Sequence, residues 1–215
     1  MTKTIVIIDY GVGNLYSVRR AVEVCGGEDI RVSDKPQDLA DADKIILPGV
    51  GAFEDGMKGM RERGLIEPIV EAAHSGKSIL GICLGMQLLA SSSEEFGFHE
   101  GLDLIPGEVV SIPNRTVDDR ILKVPFIGWA EIEAYNTKAY EMSLLGPHEA
   151  RGAVYLVHSL HVRTATPEHL LASYCLGGHR ITAAIQRDNI TGLQFHPEKS
   201  GQVGLAIMRN FLVSK

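Results

Sequence analysis

The run Ser78-Ile79-Leu80-Gly81-Ile82-Cys83-Leu84-Gly85-Met86-Gln87-Leu88-Leu89 constrains this chain more than any other segment. Ser78 to Ile82 reads as a short buried strand, and Leu84 to Ala90 as the start of a helix. Between them lies one cysteine, flanked by Gly81 and Gly85 in the spacing G-x-C-x-G. That is the pattern of a nucleophile elbow, with sulfur in place of a serine hydroxyl. A sharp strand-to-helix turn lifts its side chain out of the sheet, and small neighbours let the backbone bend and a substrate approach. The positive end of the helix then favours a thiolate near neutral pH. An inert buried cysteine is the commoner fate of a lone thiol, but it leaves the two glycines without a reason.

A thiolate needs a base, and Gly192-Leu193-Gln194-Phe195-His196-Pro197-Glu198 supplies one. The segment reads as a strand broken by Pro197, with His196 and Glu198 at its end. A histidine can take a thiol proton and return it to a leaving amine. An acid two residues on can hold the tautomer of the ring, which completes a triad in the order Cys83, His196, Glu198. Alone, His-Pro-Glu is no more than a surface turn. The elbow makes it a candidate site.

The remainder of the chain predicts an α/β architecture. Strands are expected over Thr4 to Ile8, Ile30 to Val32 and Lys44 to Leu47. Helices are expected over Asn14 to Val24, Phe53 to Arg63, Leu65 to His74 and Gln202 to Phe211. A short helix with Pro36 in its first turn takes Ser33 or Asp34 as its cap. After the elbow helix come short strands at Glu108 to Ile112, Ala130 to Glu133, Ala153 to Val157, Leu170 to Tyr174, Ile181 to Gln186 and Ile190 to Phe195. Alternating strands and helices favour a mostly parallel sheet covered on both faces. With no repeat, linker or low-complexity tract, residues 1–215 read as one domain.

Composition excludes several classes. A net charge of −6 and the lack of a basic stripe argue against nucleic acid. No apolar run approaches the ~20 residues of a membrane span, and Met1-Thr2-Lys3-Thr4-Ile5 carries no signal-peptide pattern. The 3 scattered cysteines suggest no disulfide framework. Cys25 and Cys175 read as inert apolar residues, so a reducing cytoplasm is expected. His74, His99, His148, His161, His169 and His179 show no metal-ligand spacing. His158, at the end of an apolar strand, reads as a hydrogen-bonded structural histidine.

Two glycine loops follow strands. Gly11-Val12-Gly13 opens a helix, but the third glycine of a dinucleotide fingerprint would fall at Tyr16. A tight turn at the carboxyl edge of the sheet, where ligands or partners dock, fits better. Pro48-Gly49-Val50-Gly51-Ala52 permits unusual backbone angles that could aim N–H groups at a developing oxyanion. Gln87 lies one helical turn past Cys83 on the same face.

Gly-Ile-Cys-Leu-Gly-Met-Gln together with Gln-Phe-His-Pro-Glu-Lys-Ser resembles the class I (triad) glutamine amidotransferases. The segments Ile8-Asp9-Tyr10-Gly11-Val12-Gly13-Asn14-Leu15, Leu47-Pro48-Gly49-Val50-Gly51 and Val157-His158-Ser159 make the chain similar to the glutaminase subunits that serve imidazole glycerol phosphate synthases. The resemblance spans nearly the whole chain. It implies a three-layer, flavodoxin-like fold and hydrolysis of L-glutamine by a Cys83-His196-Glu198 triad, with no metal or organic cofactor. It also implies an oxyanion strand at Gly49, Val50 and Gly51 with the Leu84 amide as second donor. Gln87, Glu95, Gly51 and the backbone of Ser159 and Leu160 would bind glutamine. A (βα)8-barrel cyclase would be the heterodimer partner, and Asn14, Trp129, Tyr155 and Lys199 would face it.

Two segments depart from the family. Pro125-Phe126-Ile127-Gly128-Trp129-Ala130 stands where Pro-His-Met-Gly-Trp-Asn is usual, and Leu160 where tyrosine is usual. The alternative is a paralogous glutaminase feeding another barrel synthase, such as one modifying a cell-surface sugar. More distant readings are a cysteine hydrolase or peptidase on a similar fold, and a non-catalytic binding protein that keeps only the fold. Gln87, Glu95 and the His-Pro-Glu segment argue against the first, and an intact Cys83, His196 and Glu198 against the second.

Overall fold

Residues of β1 (Thr4–Ile8) alternate between two cores, and that alternation explains the layers. Val6 and Ile8 pack on one face of the sheet while Ile5 and Ile7 pack on the other, as the two-residue period of a strand requires. A strand buried on both faces reads as a continuous apolar run, which is why Ile-Val-Ile-Ile carries no polar alternation. The structure is a computed structural model describing residues 3–214. Met1, Thr2 and Lys215, the ends of the expected domain, lie outside the described residues.

The elements continue with α1 (Leu15–Val24), β2 (Asp29–Ser33), α2 (Pro36–Asp41), β3 (Lys44–Gly49), α3 (Phe53–Glu62), α4 (Ile66–His74), β4 (Ser78–Cys83) and α5 (Leu84–Leu88). Short strands follow: β5 (Ser92–Ser93), β6 (His99–Glu100), β7 (Gly107–Ser111), β8 (Phe126–Glu131) and β9 (Glu133–Ala134). After α6 (Thr137–Glu141) come β10 (Ala153–His158), β11 (Leu160–Thr164), β12 (Leu170–Leu176), β13 (His179–Arg187), β14 (Ile190–Leu193) and α7 (Gly201–Val213).

An eight-stranded sheet runs in the order β2-β1-β3-β4-β14-β13-β12-β9. Its first five strands are parallel, and the last three antiparallel. Leu39 of α2, Met57 and Met60 of α3, Ile69 of α4 and Leu88 of α5 cover one face. Val18 and Val22 of α1, Tyr140 of α6 and Ile207 and Phe211 of α7 cover the other. Each such side chain contributes about 1.5–3 kcal/mol on burial, and together they give the three-layer α/β fold that the sequence predicts. A four-stranded sheet, β11-β7-β5-β6, and the pair β10-β8 hold the segments after the elbow.

Four expectations are corrected. The cap before Pro36 is Lys35, and the Ser33 hydroxyl instead accepts from the Lys35 backbone N–H. The elbow helix ends at Leu88, short of the Ala90 expected, and Glu95 sits beyond it in the turn between β5 and β6. The predicted strand over Ala130 to Glu133 is split: β8 begins at Phe126 and β9 at Glu133. Cys175, expected to be an inert apolar residue, is exposed.

Candidate active site

Strand register assembles the site. Gly49 of β3 pairs with Cys83 of β4, and Leu193 of β14 pairs with Ile82. The glycine loop therefore leaves the sheet on one side of Cys83, and Gln194 to His196 leave it on the other. All three chains emerge at the carboxyl edge, where open α/β sheets bind ligands.

Cys83 has φ +54° and ψ −111°, a strained conformation for a residue with a side chain. Its neighbours show why glycine is needed: a Cβ on Gly85 would lie 1.7 Å from the Leu47 carbonyl oxygen. The first turn of α5 packs directly on β3, and this contact fixes the elbow. Cys83 is buried, at 7 % exposure, yet lines the cleft in front of the elbow.

His196 Nδ1 lies 2.9 Å from Glu198 Oε1, with both side chains almost wholly buried. The ring's Nε2 is buried and has no hydrogen-bond partner among the described residues. Burial opposes a charge on the ring, but interaction with the Cys83 sulfur and the Glu198 carboxylate outweighs it and pushes the His196 pKa up to about 9. At neutral pH the geometry therefore favours an imidazolium beside the sulfur, which is both a thiolate partner and a ready acid.

The cleft in front of Cys83 is lined by Val50, Gly51, Leu84, Gln87, Glu95, Pro125, Val157, His158, Ser159, Leu160 and His196. Every residue expected at the oxyanion and glutamine subsites lines it except Gly49, which is buried behind the loop. A Cβ on Gly49 would lie 2.2 Å from the Tyr10 hydroxyl. That hydroxyl donates to the Pro48 carbonyl at 2.5 Å, and burial raises the Tyr10 pKa so that it stays a donor. Gly51, at φ +106°, has open space around it. Glu95 Oε2 accepts the Phe53 backbone N–H at 2.6 Å, at the amino end of α3, which anchors one of its oxygens.

His158 is structural, as its sequence context predicts. Its Nδ1 donates to the Leu160 carbonyl at 2.7 Å, and its Nε2 accepts from the Tyr174 hydroxyl at 2.9 Å. Burial, opposed by the Leu160 bond, lowers its pKa to about 4. Phe126, one of the unusual residues, stacks at 5.3 Å on Tyr174 and so packs behind this histidine.

The residues expected to face a partner lie together only in part. Trp129 is 56 % exposed and meets Tyr155 edge-on at 5.9 Å, directly across the β8–β10 pair. The Tyr155 carbonyl accepts the His196 N–H at 3.0 Å, which joins this face to the base. Lys199 is exposed in the turn just beyond Glu198. Asn14, in contrast, caps α1 by accepting the Ser17 N–H at 3.3 Å.

Sequence reasoning assigned no role to Tyr10 or Gln194. Gln194 was visible only as part of the histidine segment, because its place beside Cys83 depends on the β4–β14 register. Among the described residues, no group of three or more His, Cys, Asp or Glu side chains could hold a metal ion. No described helix is long and apolar enough to cross a membrane.

Residues 6–215 match the family described as Glutamine amidotransferase class-I. The chain is 48% identical over 207 residues to the imidazole glycerol phosphate synthase subunit HisH 1 of Legionella pneumophila (strain Paris), covering 96% of this chain and 97% of that one. It is 46% identical over 210 residues to the subunit HisH of Syntrophotalea carbinolica, covering 96% and 98%. Among solved structures, PurLQS from Thermotoga maritima superposes with a TM-score of 0.71 at 20% identity, covering 99% of this chain and 98% of that chain. A putative GMP synthase protein from Thermoplasma acidophilum gives 0.67 at 20% identity, covering 99% and 93%. At that identity these two likenesses concern the fold alone.

Proposed function

The chain belongs to the glutamine amidotransferase class-I family, and on that footing we propose that it is the glutaminase subunit of an imidazole glycerol phosphate synthase. It hydrolyses L-glutamine to glutamate and ammonia. A (βα)8-barrel cyclase partner uses the ammonia to make imidazole glycerol phosphate and an aminoimidazole carboxamide ribonucleotide in histidine biosynthesis. Relatives at 42–48% identity over nearly full length carry the name of that synthase, which favours it over a paralogous one.

The observation that carries the chemistry is the buried His196–Glu198 pair beside a strained Cys83. The Cys83 thiolate attacks the side-chain amide carbon of glutamine, and the carbonyl π electrons move to oxygen. N–H groups of Leu84 and of the loop at Val50 and Gly51 stabilise that oxyanion. The His196 imidazolium protonates the leaving nitrogen, ammonia departs, and a γ-glutamyl thioester remains. Neutral His196 then takes a proton from an attacking water. Collapse of the second tetrahedral intermediate expels the Cys83 thiolate and releases glutamate.

Gln87, Glu95, Ser159 and Leu160 form the glutamine subsite in this reading, with the free oxygen of Glu95 taking the ammonium group. Trp129, Tyr155, Lys199 and Asn14 belong to the partner interface. The single domain spans residues 1–215, and a cytoplasmic setting suits a reactive thiol and a biosynthetic step. Glutamate release by the complex with its barrel cyclase, together with labelling of Cys83 by a glutamine-analogue electrophile, tests the proposal. Labelling elsewhere, or no glutamate, overturns it.

A further inference from the structure

A second side chain addresses the sulfur. Gln194 is fully buried just past β14, the strand next to the elbow, and its Nε2 lies 3.8 Å from Cys83 Sγ, within reach of an N–H···S hydrogen bond. Its Oε1 accepts from Gln87 Nε2 at 3.2 Å. Gln87 Nε2 also donates to the Leu160 carbonyl at 3.3 Å.

These three bonds leave no freedom in the direction of the amides. A backbone carbonyl only accepts, so the end of Gln87 that faces Leu160 must be its NH2 group. The same NH2 faces Gln194, whose near atom must then be oxygen. The NH2 of Gln194 is thereby turned onto Cys83. Reversing Gln194 alone would set two NH2 groups against each other. Reversing both amides would set the Gln87 oxygen against the Leu160 carbonyl.

We propose that Gln194 is a further catalytic residue, a fixed N–H donor that stabilises the Cys83 thiolate and is held in that orientation by the Leu160–Gln87 chain. The inference rests on the glutaminase reading above. An anionic sulfur accepts a hydrogen bond more strongly than a neutral thiol, so the donor favours the charged form. Unlike His196, an amide cannot take up the proton, so the bond persists through the cycle. It favours the thiolate before attack and again when the second tetrahedral intermediate expels it. Gln194 does not line the cleft, so its contribution falls on the sulfur rather than on substrate binding.

The test compares the full chain with Gln194→Met, which keeps length without a donor, and with Gln194→Leu. Iodoacetamide alkylation of Cys83 is followed against pH by peptide mass spectrometry, which resolves Cys25 and Cys175 in other peptides. The midpoint of the alkylation profile should rise by about one pH unit, about a tenfold slower reaction below it. With the cyclase bound, kcat for glutamine should fall about tenfold with KM unchanged. Gln87→Met, which removes the orienting donor, should move the alkylation midpoint the same way but less. A folded Gln194 variant with a wild-type alkylation profile, or one that changes KM alone, overturns the inference. A wild-type complex with the cyclase that releases no glutamate would instead refute the underlying reading.

Discussion

Glu198 Oε1 and His196 Nδ1 meet at 2.9 Å inside a turn that leaves both side chains almost without solvent contact. Removing the ring should therefore matter more than removing the charge that orients it. His196→Asn is expected to cost glutaminase turnover at least the ~10²–10⁴-fold typical of a lost acid–base group. Glu198→Gln should cost less, since packing and the Tyr155 carbonyl still hold the backbone of His196. Steady-state glutamate release in the assembled complex checks the order. Equal and negligible losses would remove His196 from the mechanism. His158 is no substitute, because both its nitrogens are already engaged.

The buried neutral state of His158 predicts a pH dependence of stability. Its folded pKa is about 4, below the ~6.5 of an unfolded histidine. A base held down in this way contributes stability that is complete above pH ~6.5 and is lost as pH falls toward 4. His158→Gln should flatten the decline in that window, by up to ~1.4 kcal/mol per pH unit. Urea melts between pH 7 and 4.5 measure it. Parallel profiles for variant and wild type would contradict the assignment.

Gly85→Ala forces a Cβ to within 1.7 Å of the Leu47 carbonyl oxygen, a backbone atom that has no side-chain freedom to yield. The elbow helix must lift off β3, at about 1–3 kcal/mol, and Cys83 loses its presentation. The variant should melt earlier and label poorly with a glutamine-analogue electrophile. Normal labelling at normal stability would show that the elbow does not depend on that contact.

The fold and half of the site were legible because both are written locally. The Ile-Val-Ile-Ile strand, the Gly-x-Cys-x-Gly turn and the His-Pro-Glu segment each carry their meaning within a few residues. What sequence could not give is register. Gln194 touches Cys83 only because β14 pairs with β4, and Tyr10 reaches Pro48 only because β1 pairs with β3. Leu160–Thr164 escaped notice as a strand because only Ser159 separates it from β10, and its partner β7 is distant in the chain. The Lys35 cap has no side-chain hydrogen bond, so the usual Ser or Asp signal pointed to the wrong residue.

The isolated chain should be a poor glutaminase that its barrel partner activates. The loop Pro48 to Gly51 is pinned at its root by Tyr10 but open at Gly51, so docking can reorient a peptide there. Each oxyanion donor is worth about 10²–10³ in rate. Trp129→Ala removes an exposed aromatic side chain from the proposed partner face and should weaken docking or activation, leaving glutamine chemistry intact once the complex is assembled. Turnover titrated against the cyclase, with and without its ligand, checks this. A chain fully active alone would contradict it.

The most direct measurement is product formation by the complex carrying Cys83→Ala, supplied in parallel with glutamine and with an ammonium salt. A small side chain fits the elbow, so the fold and the partner's docking face should persist. The account predicts no product from glutamine and wild-type product from ammonium. Near-normal glutamine-dependent synthesis by Cys83→Ala would contradict it.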